Sequence, residues 1–223
     1  MLMRRLPRAL GVLVLLASGM TAGSVALMSG TASAAPCGTA IAAGTSCTMT
    51  GTVSLTAGSL TLTSPSALSW STTLTGVDQS LVDTNASDQQ YTVDDATGSG
   101  AGWHVTTSAT QFTNGSHTFP NTGTFSTNGS VVSITATSAP TATCTATCTL
   151  PSNSTTYPVA ITTAATSPTP VTIYDTAAAS GMGQVVIGGS TQPNPVGWWV
   201  NVPASASSGS YTSTITMEII SGP

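Results

Sequence analysis

The sequence predicts an all-β domain, an antiparallel two-sheet sandwich with Greek-key connections, with a closed barrel as second choice. Three observations point there. Apolar residues alternate with Ser and Thr at period two along most of the chain. Turn signals recur between the alternating stretches, and no stretch after residue 35 carries an apolar stripe at helical spacing. Ser and Thr fill 68 of the positions 35–223, which suits strands with one hydroxylated face and one face of Leu, Ile, Val and Trp.

The strand expectations follow in chain order. Residues 48–55 alternate, 60–62 follow a glycine, and 67–74 carry Leu68, Trp70 and Leu74. Residues 91–93 run into Asp94 and Asp95, and a long alternating stretch, 103–112, opens at Trp103. Residues 131–137, 157–161, 171–174, 184–187, 196–202 and 211–220 complete the set. Asn114-Gly115, Asn128-Gly129, Gly188-Gly189, Pro193-Asn194-Pro195 and Ser208-Gly209 punctuate it. Residues 139–170, loaded with Thr, Ala and Pro, read as an inserted hairpin or long loop within a single domain spanning 35–223.

The first 34 residues have the three parts of a secretory signal: a basic start, an apolar run over 9–17, and Ala32-Ser33-Ala34 before the expected cut at Ala35. Arg4, Arg5 and Arg8 are the only cations of the chain and all lie in this leader. The exported chain then carries seven carboxylates, no Lys or Arg, and a formal charge of −7. Such a chain has nothing with which to neutralise phosphate, so nucleic acid is excluded as a partner. It likewise lacks the polybasic patch that docks on anionic membranes, and no membrane association is expected after signal cleavage. No covalent sorting signal is visible at the C-terminus. The expected location is outside the cell, secreted or at the cell surface.

Four cysteines, Cys37, Cys47, Cys144 and Cys148, remain after cleavage. An even count in an exported chain reads as disulfides, and four cysteines allow three pairings. The local pairing 37–47 and 144–148 is the simplest. Zinc bound by Cys144 and Cys148 with His104 and His117 is the weaker alternative, since no second cysteine cluster has ligand spacing.

Residues 94–102 form a Gly-rich connection in which Asp can accept turn amides and glycines supply positive φ. A structural turn is the simpler reading. A calcium loop drawing on Asp88, Asp94 and Asp95 is the sharper one, although it lacks the spacing of a known calcium motif. Asp94 and Asp95 are consecutive on an extended chain and point apart, so they cannot serve as a hydrolytic carboxylate pair. Neither histidine has a nucleophile motif beside it, and the chain is not expected to be an enzyme or to carry a cofactor. Trp198 and Trp199 are adjacent on a strand and should face opposite sides. One is expected to be buried, and the other to lie outside as a stacking platform for a sugar ring.

Two stretches carry a family resemblance. The first runs from Tyr91 through Asp94 and the glycines to Gly102, Trp103 and Val105; the second is the terminal run from Tyr211 to Pro223. Together they resemble the WxL domain of Gram-positive bacterial surface proteins. That family has a proximal Gly-Trp-x-Leu motif after an Asp-containing strand. Its distal motif reads Tyr, five residues, Trp-x-Leu, three residues, Pro. Here Trp103 matches and Val105 replaces Leu, while Met217 and Ile219 occupy the distal Trp and Leu places before Pro223. The resemblance implies an exported surface protein that binds cell-wall peptidoglycan without a covalent link, with Trp103 as the family's matching wall-binding position. The alternative is a secreted structural or adhesive β-protein that engages other surface proteins.

Overall fold

In a computed structural model the described residues are 35–223, so the expected export signal lies outside them. The chain divides into two units, Met1–Ser54 and Leu55–Pro223.

In the first unit β1 (Ala35–Pro36) and β2 (Cys47–Thr48) pair in parallel, and Cys37–Cys47 closes the ten-residue excursion between them. The strand expected over 48–55 does not form beyond Thr48. Residues 49–59 run without turn, bend or strand pairing, and every one of them is exposed. A backbone of high β propensity makes a strand only when a neighbour takes up its amides; among the described residues none does so for 49–57, and Gly58 and Ser59 bond only the main chain of Ala96.

The second unit holds twelve strands: β3 (Leu60–Thr63), β4 (Gln79–Val82), β5 (Gln90–Asp95), β6 (Trp103–Thr110), β7 (Phe125–Asn128), β8 (Ala142–Cys144), β9 (Val159–Ile161), β10 (Thr163–Ala164), β11 (Val171–Thr176), β12 (Gly183–Gly188), β13 (Gly197–Val202) and β14 (Ile215–Ser221). A single 3-10 turn, Ala86–Asp88, is the described helical element. One sheet has the order β3-β5-β12-β8 and a second β4-β13-β7-β9. In the third, β14 lies along one edge of β6 while β11 and β10 share the other. Every pairing in this unit is antiparallel except β10 with β6. Among the described residues each sheet keeps its edges, so none closes into a barrel, and the fold is a β-sandwich.

The chain changes sheet at almost every connection, and all three sheets feed one core. Val93 and Val185 enter from the first sheet, Phe125 and Trp198 from the second, and Trp103 and Ile173 from the third. Residues 139–170, expected as an inserted hairpin or loop, are instead woven in: β8, β9 and β10 each join a different sheet. The second expected disulfide, Cys144–Cys148, ties the end of β8 to the turn beyond it. Both thiol pairs are thus consumed, which removes the zinc alternative at Cys144 and Cys148.

Candidate functional site

The three tryptophan candidates for ligand binding are all buried. Trp103 is 0 % exposed, stacks on Tyr174 and donates its Nε1–H to the Gly181 carbonyl at 2.9 Å. Gly102 before it sits at φ +80°, and a Cβ there would lie 2.6 Å from the Thr176 carbonyl oxygen, so a side chain is excluded on both counts. Trp198 donates to the Asp88 carbonyl at 2.9 Å. Trp199 does face the other side of β13, as alternation requires, yet it too is buried, at 5 %. The segment after β7 folds over that face, and Trp199 Nε1–H donates to the Ser130 carbonyl at 2.9 Å and to Asn128 Oδ1 at 3.2 Å. Alternation sets which way a side chain points, but not whether a loop covers that side. The expected exposed platform is therefore absent at Trp198 and Trp199.

The 94–102 connection is built as a turn. Asp95 is buried and its Oδ1 accepts from the Thr97 amide at 3.1 Å and hydroxyl at 2.6 Å, whereas Asp94 points to the other face and is half-buried. No group of three or more candidate metal ligands gathers among the described residues. The two stretches that carry the family resemblance are brought together. β14 pairs with β6 so that Ile219 lies opposite Val105 and Met217 opposite Thr107, and the Gly222 amide donates to the Gly102 carbonyl at 2.9 Å. Tyr211, Ser213, Ile215, Met217 and Ile219 share the half-buried face of this run, as alternation predicts, while Thr212, Thr214, Thr216 and Glu218 are exposed.

What the sequence reading missed is Trp70. The expected strand over 67–74 is instead a strap without strand pairing. The strap is pegged at three points. The Ser69 amide donates to Asp83 Oδ2 at 2.7 Å, Trp70 Nε1–H donates to the Trp198 carbonyl at 3.0 Å, and Gln79 Nε2–H donates to Thr72 Oγ1 at 2.9 Å. Trp70 meets Phe112 and Phe125 edge-on at 5.9 and 6.0 Å between ring centres. Beside it opens a cleft of about 840 Å³, floored by Leu81 and Val200 and walled by Trp70, Phe112, Phe119 and Tyr211. This volume is typical of small-ligand sites.

Tyr211 stacks on Phe119 with ring centres 4.2 Å apart, and its hydroxyl donates to the Ser207 carbonyl at 3.2 Å. Phe112 and Phe119 are buried, so Trp70 and Tyr211, both half-buried, are the rings that reach solvent. The rim is hydroxylated, with Ser71, Thr72 and Thr73 on the strap and Ser207, Ser208 and Ser210 on the loop before Tyr211. No ionisable side chain other than the Tyr211 phenol lines it.

The perturbed ionisable groups lie elsewhere. Burial, with smaller contributions from neighbouring tyrosines, raises Tyr91 well above the usual phenol value; burial raises Tyr157 likewise, and it lifts Tyr174 to about 12. Partial burial acts to raise Asp175, but donors from Ser154 and Thr155 outweigh it and hold the carboxylate below its ordinary value. These donors fasten the 152–155 segment to β11. None of these groups adjoins a nucleophile in the cleft, and the cleft's chemistry is stacking plus neutral hydrogen bonding.

No family model, curated protein or solved structure matches the chain.

Proposed function

We propose that the chain is an exported, non-catalytic β-domain that holds cell-wall peptidoglycan non-covalently, with the glycan seated in the Trp70–Tyr211 cleft. The observation that carries this reading is the cleft's make-up: two accessible aromatic rings, a Ser/Thr rim and no charged side chain. Sugar rings present apolar C–H faces to aromatic rings and a belt of hydroxyl and acetamido groups to small polar side chains. Stacking and neutral hydrogen bonding of this kind need no Lys or Arg. The two disulfides agree with an oxidising, extracellular location, and no helix of the described residues is long and apolar enough to cross a membrane. The resemblance of the β6 and β14 stretches to the WxL domain points in the same direction.

Retention of the mature chain on purified cell walls tests the proposal. With a formal charge of −7, the chain is repelled by anionic teichoic acid. Retention should therefore hold or rise with ionic strength, because salt screens the repulsion and leaves stacking intact; stripping teichoic acid should strengthen it. Loss in moderate salt would indicate carboxylates meeting cationic stem-peptide amines instead. No retention at all would leave the adhesive alternative, contact with other surface proteins.

A further inference from the structure

A strand-forming segment without a sheet and a sheet edge without a strand occur in this one chain. Residues 49–55 alternate Met49, Gly51, Val53 and Leu55 with Thr50, Thr52 and Ser54. They have no strand partner among the described residues, and Met49, Val53 and Leu55 are 82, 82 and 89 % exposed. Met49, Val53 and Leu55 at odd-numbered positions, broken only by Gly51 and alternating with Thr and Ser, make the pattern of a half-buried strand, not of a solvated linker.

The free edge lies at the C-terminal run. Thr212, Thr214 and Gly222 direct their backbone groups toward the β6 side, where they bond Thr113, Thr110 and Gly102. By the alternation of an antiparallel ladder, the amides and carbonyls of Tyr211, Ser213, Ile215 and Met217 face the opposite edge. That edge pairs with no strand among the described residues. Beside it lies a groove of about 490 Å³ between residues 211–217 and residues 64–70, lined by Leu68, Trp70, Ile215 and Met217.

We propose that this groove receives residues 49–55 of a second copy of the chain, added as an extra strand along residues 211–217, with Val53 and Leu55 entering the groove. Three features favour a second copy as the occupant. Residues 49–55 span about 23 Å of extended chain at 3.3 Å per residue, enough to run along the groove beside residues 211–217. Their periods match, one apolar face turned inward and one Thr/Ser face outward. Charge supplies the third. Every formally charged side chain of the exported chain is acidic, so two copies avoid repulsion by meeting through uncharged surfaces. Residues 37–77 contain no charged residue, and neither does the groove lining. Because donor and acceptor are different surfaces, the contact is heterologous and repeats head to tail. The groove shares Trp70, Phe112 and Tyr211 with the cleft described above, and self-association is read without any glycan present.

Sedimentation of the mature chain over a concentration series tests this. The wild-type chain should give species that grow with concentration, and Val53→Asp/Leu55→Asp should weaken self-association by about tenfold or more, the effect of losing at least one buried aliphatic side chain. Both positions are exposed, so the fold is undisturbed. The substituted chain keeps its groove and should bind a synthetic peptide of residues 48–57 saturably, but not a peptide of the same composition with the alternation scrambled. A wild-type chain that stays monomeric throughout, self-association unchanged by the double substitution, or failure of the peptide to bind would each overturn the proposal.

Discussion

Replacing Asp83 by alanine probes how the aromatic cleft is held in shape. Asp83 follows β4 and is 1 % exposed, a buried carboxylate in a domain with no cation to pair it. Its two oxygens are taken by main-chain donors: Oδ2 by the Ser69 amide at 2.7 Å and Oδ1 by the Asn85 amide at 2.8 Å. The first bond fixes the residue before Trp70, so Asp83 positions the ring without touching the cleft. Hydrogen bonds to a charged acceptor contribute roughly 1.5–3 kcal/mol each. The freed Ser69 amide can turn to solvent when the strap shifts, so the combined loss should fall at about 2–4 kcal/mol. For a domain of this size that is a fall in Tm of roughly 4–16 °C. Asp83→Asn should cost about half as much, since it keeps one acceptor and sets an NH2 group against the other amide. Urea unfolding followed by tryptophan fluorescence measures both, with a constant m-value confirming that only stability changed. If Asp83→Ala lies within about 0.5 kcal/mol of wild type, as an ordinary surface substitution does, the strap is held by the Trp70 and Gln79 pegs without it and the reasoning is wrong.

Other outcomes follow from the same structure. Tyr91, Tyr157 and Tyr174 have raised folded-state values, so the stability they lend is complete below about pH 10 and drains away as the pH climbs from there; for Tyr174 the loss runs to about 12. A spectrophotometric titration should accordingly show tyrosinate signal arising with unfolding. Asp175 has a depressed value, so its contribution is present above the ordinary carboxylate pKa of about 3.9 and is lost as pH falls through the lowered one. Asp175→Asn should therefore remove part of the acid limb of a stability–pH curve. On β14, Met217→Asp should cost about 1–3 kcal/mol because the site is half-buried, while Glu218→Gln on the exposed face should be neutral within about 0.5 kcal/mol; chemical denaturation distinguishes them.

Period-two alternation made β3, β5, β6, β9 and β11 to β14 readable from the sequence, because each keeps a row of Val, Ile, Leu or aromatic residues. It missed β4, β7, β8 and the two-residue β10, whose stretches Gln79–Val82, Phe125–Asn128, Ala142–Cys144 and Thr163–Ala164 hold too few apolar residues to show a period. Sheet neighbours recruit such stretches, and local pattern does not record it. The reverse error occurred at 49–55, 67–74 and 131–137, which alternate but find no strand partner among the described residues. The disulfide pairing was legible because each pair is close in sequence. The cleft was not, since it joins Trp70 on the strap to Tyr211 more than a hundred residues later. Trp198 and Trp199 drew attention as a dipeptide; Trp198 enters the core as alternation allows, and a covering segment from Asn128 onward, invisible to strand alternation, encloses Trp199 as well.

Calorimetric titration of the folded mature chain with an uncharged peptidoglycan glycan fragment bears most directly on the cleft. Saturable binding is expected, insensitive to salt, and weakened about 5- to 150-fold by Tyr211→Ala, equivalent to about 1–3 kcal/mol for a lost stacking ring. Val132→Ala, at an exposed position outside the cleft, should bind as wild type does. No heat of binding to the folded wild-type chain, or equal affinity for the Tyr211→Ala chain with its fold intact, would contradict a glycan site between Trp70 and Tyr211.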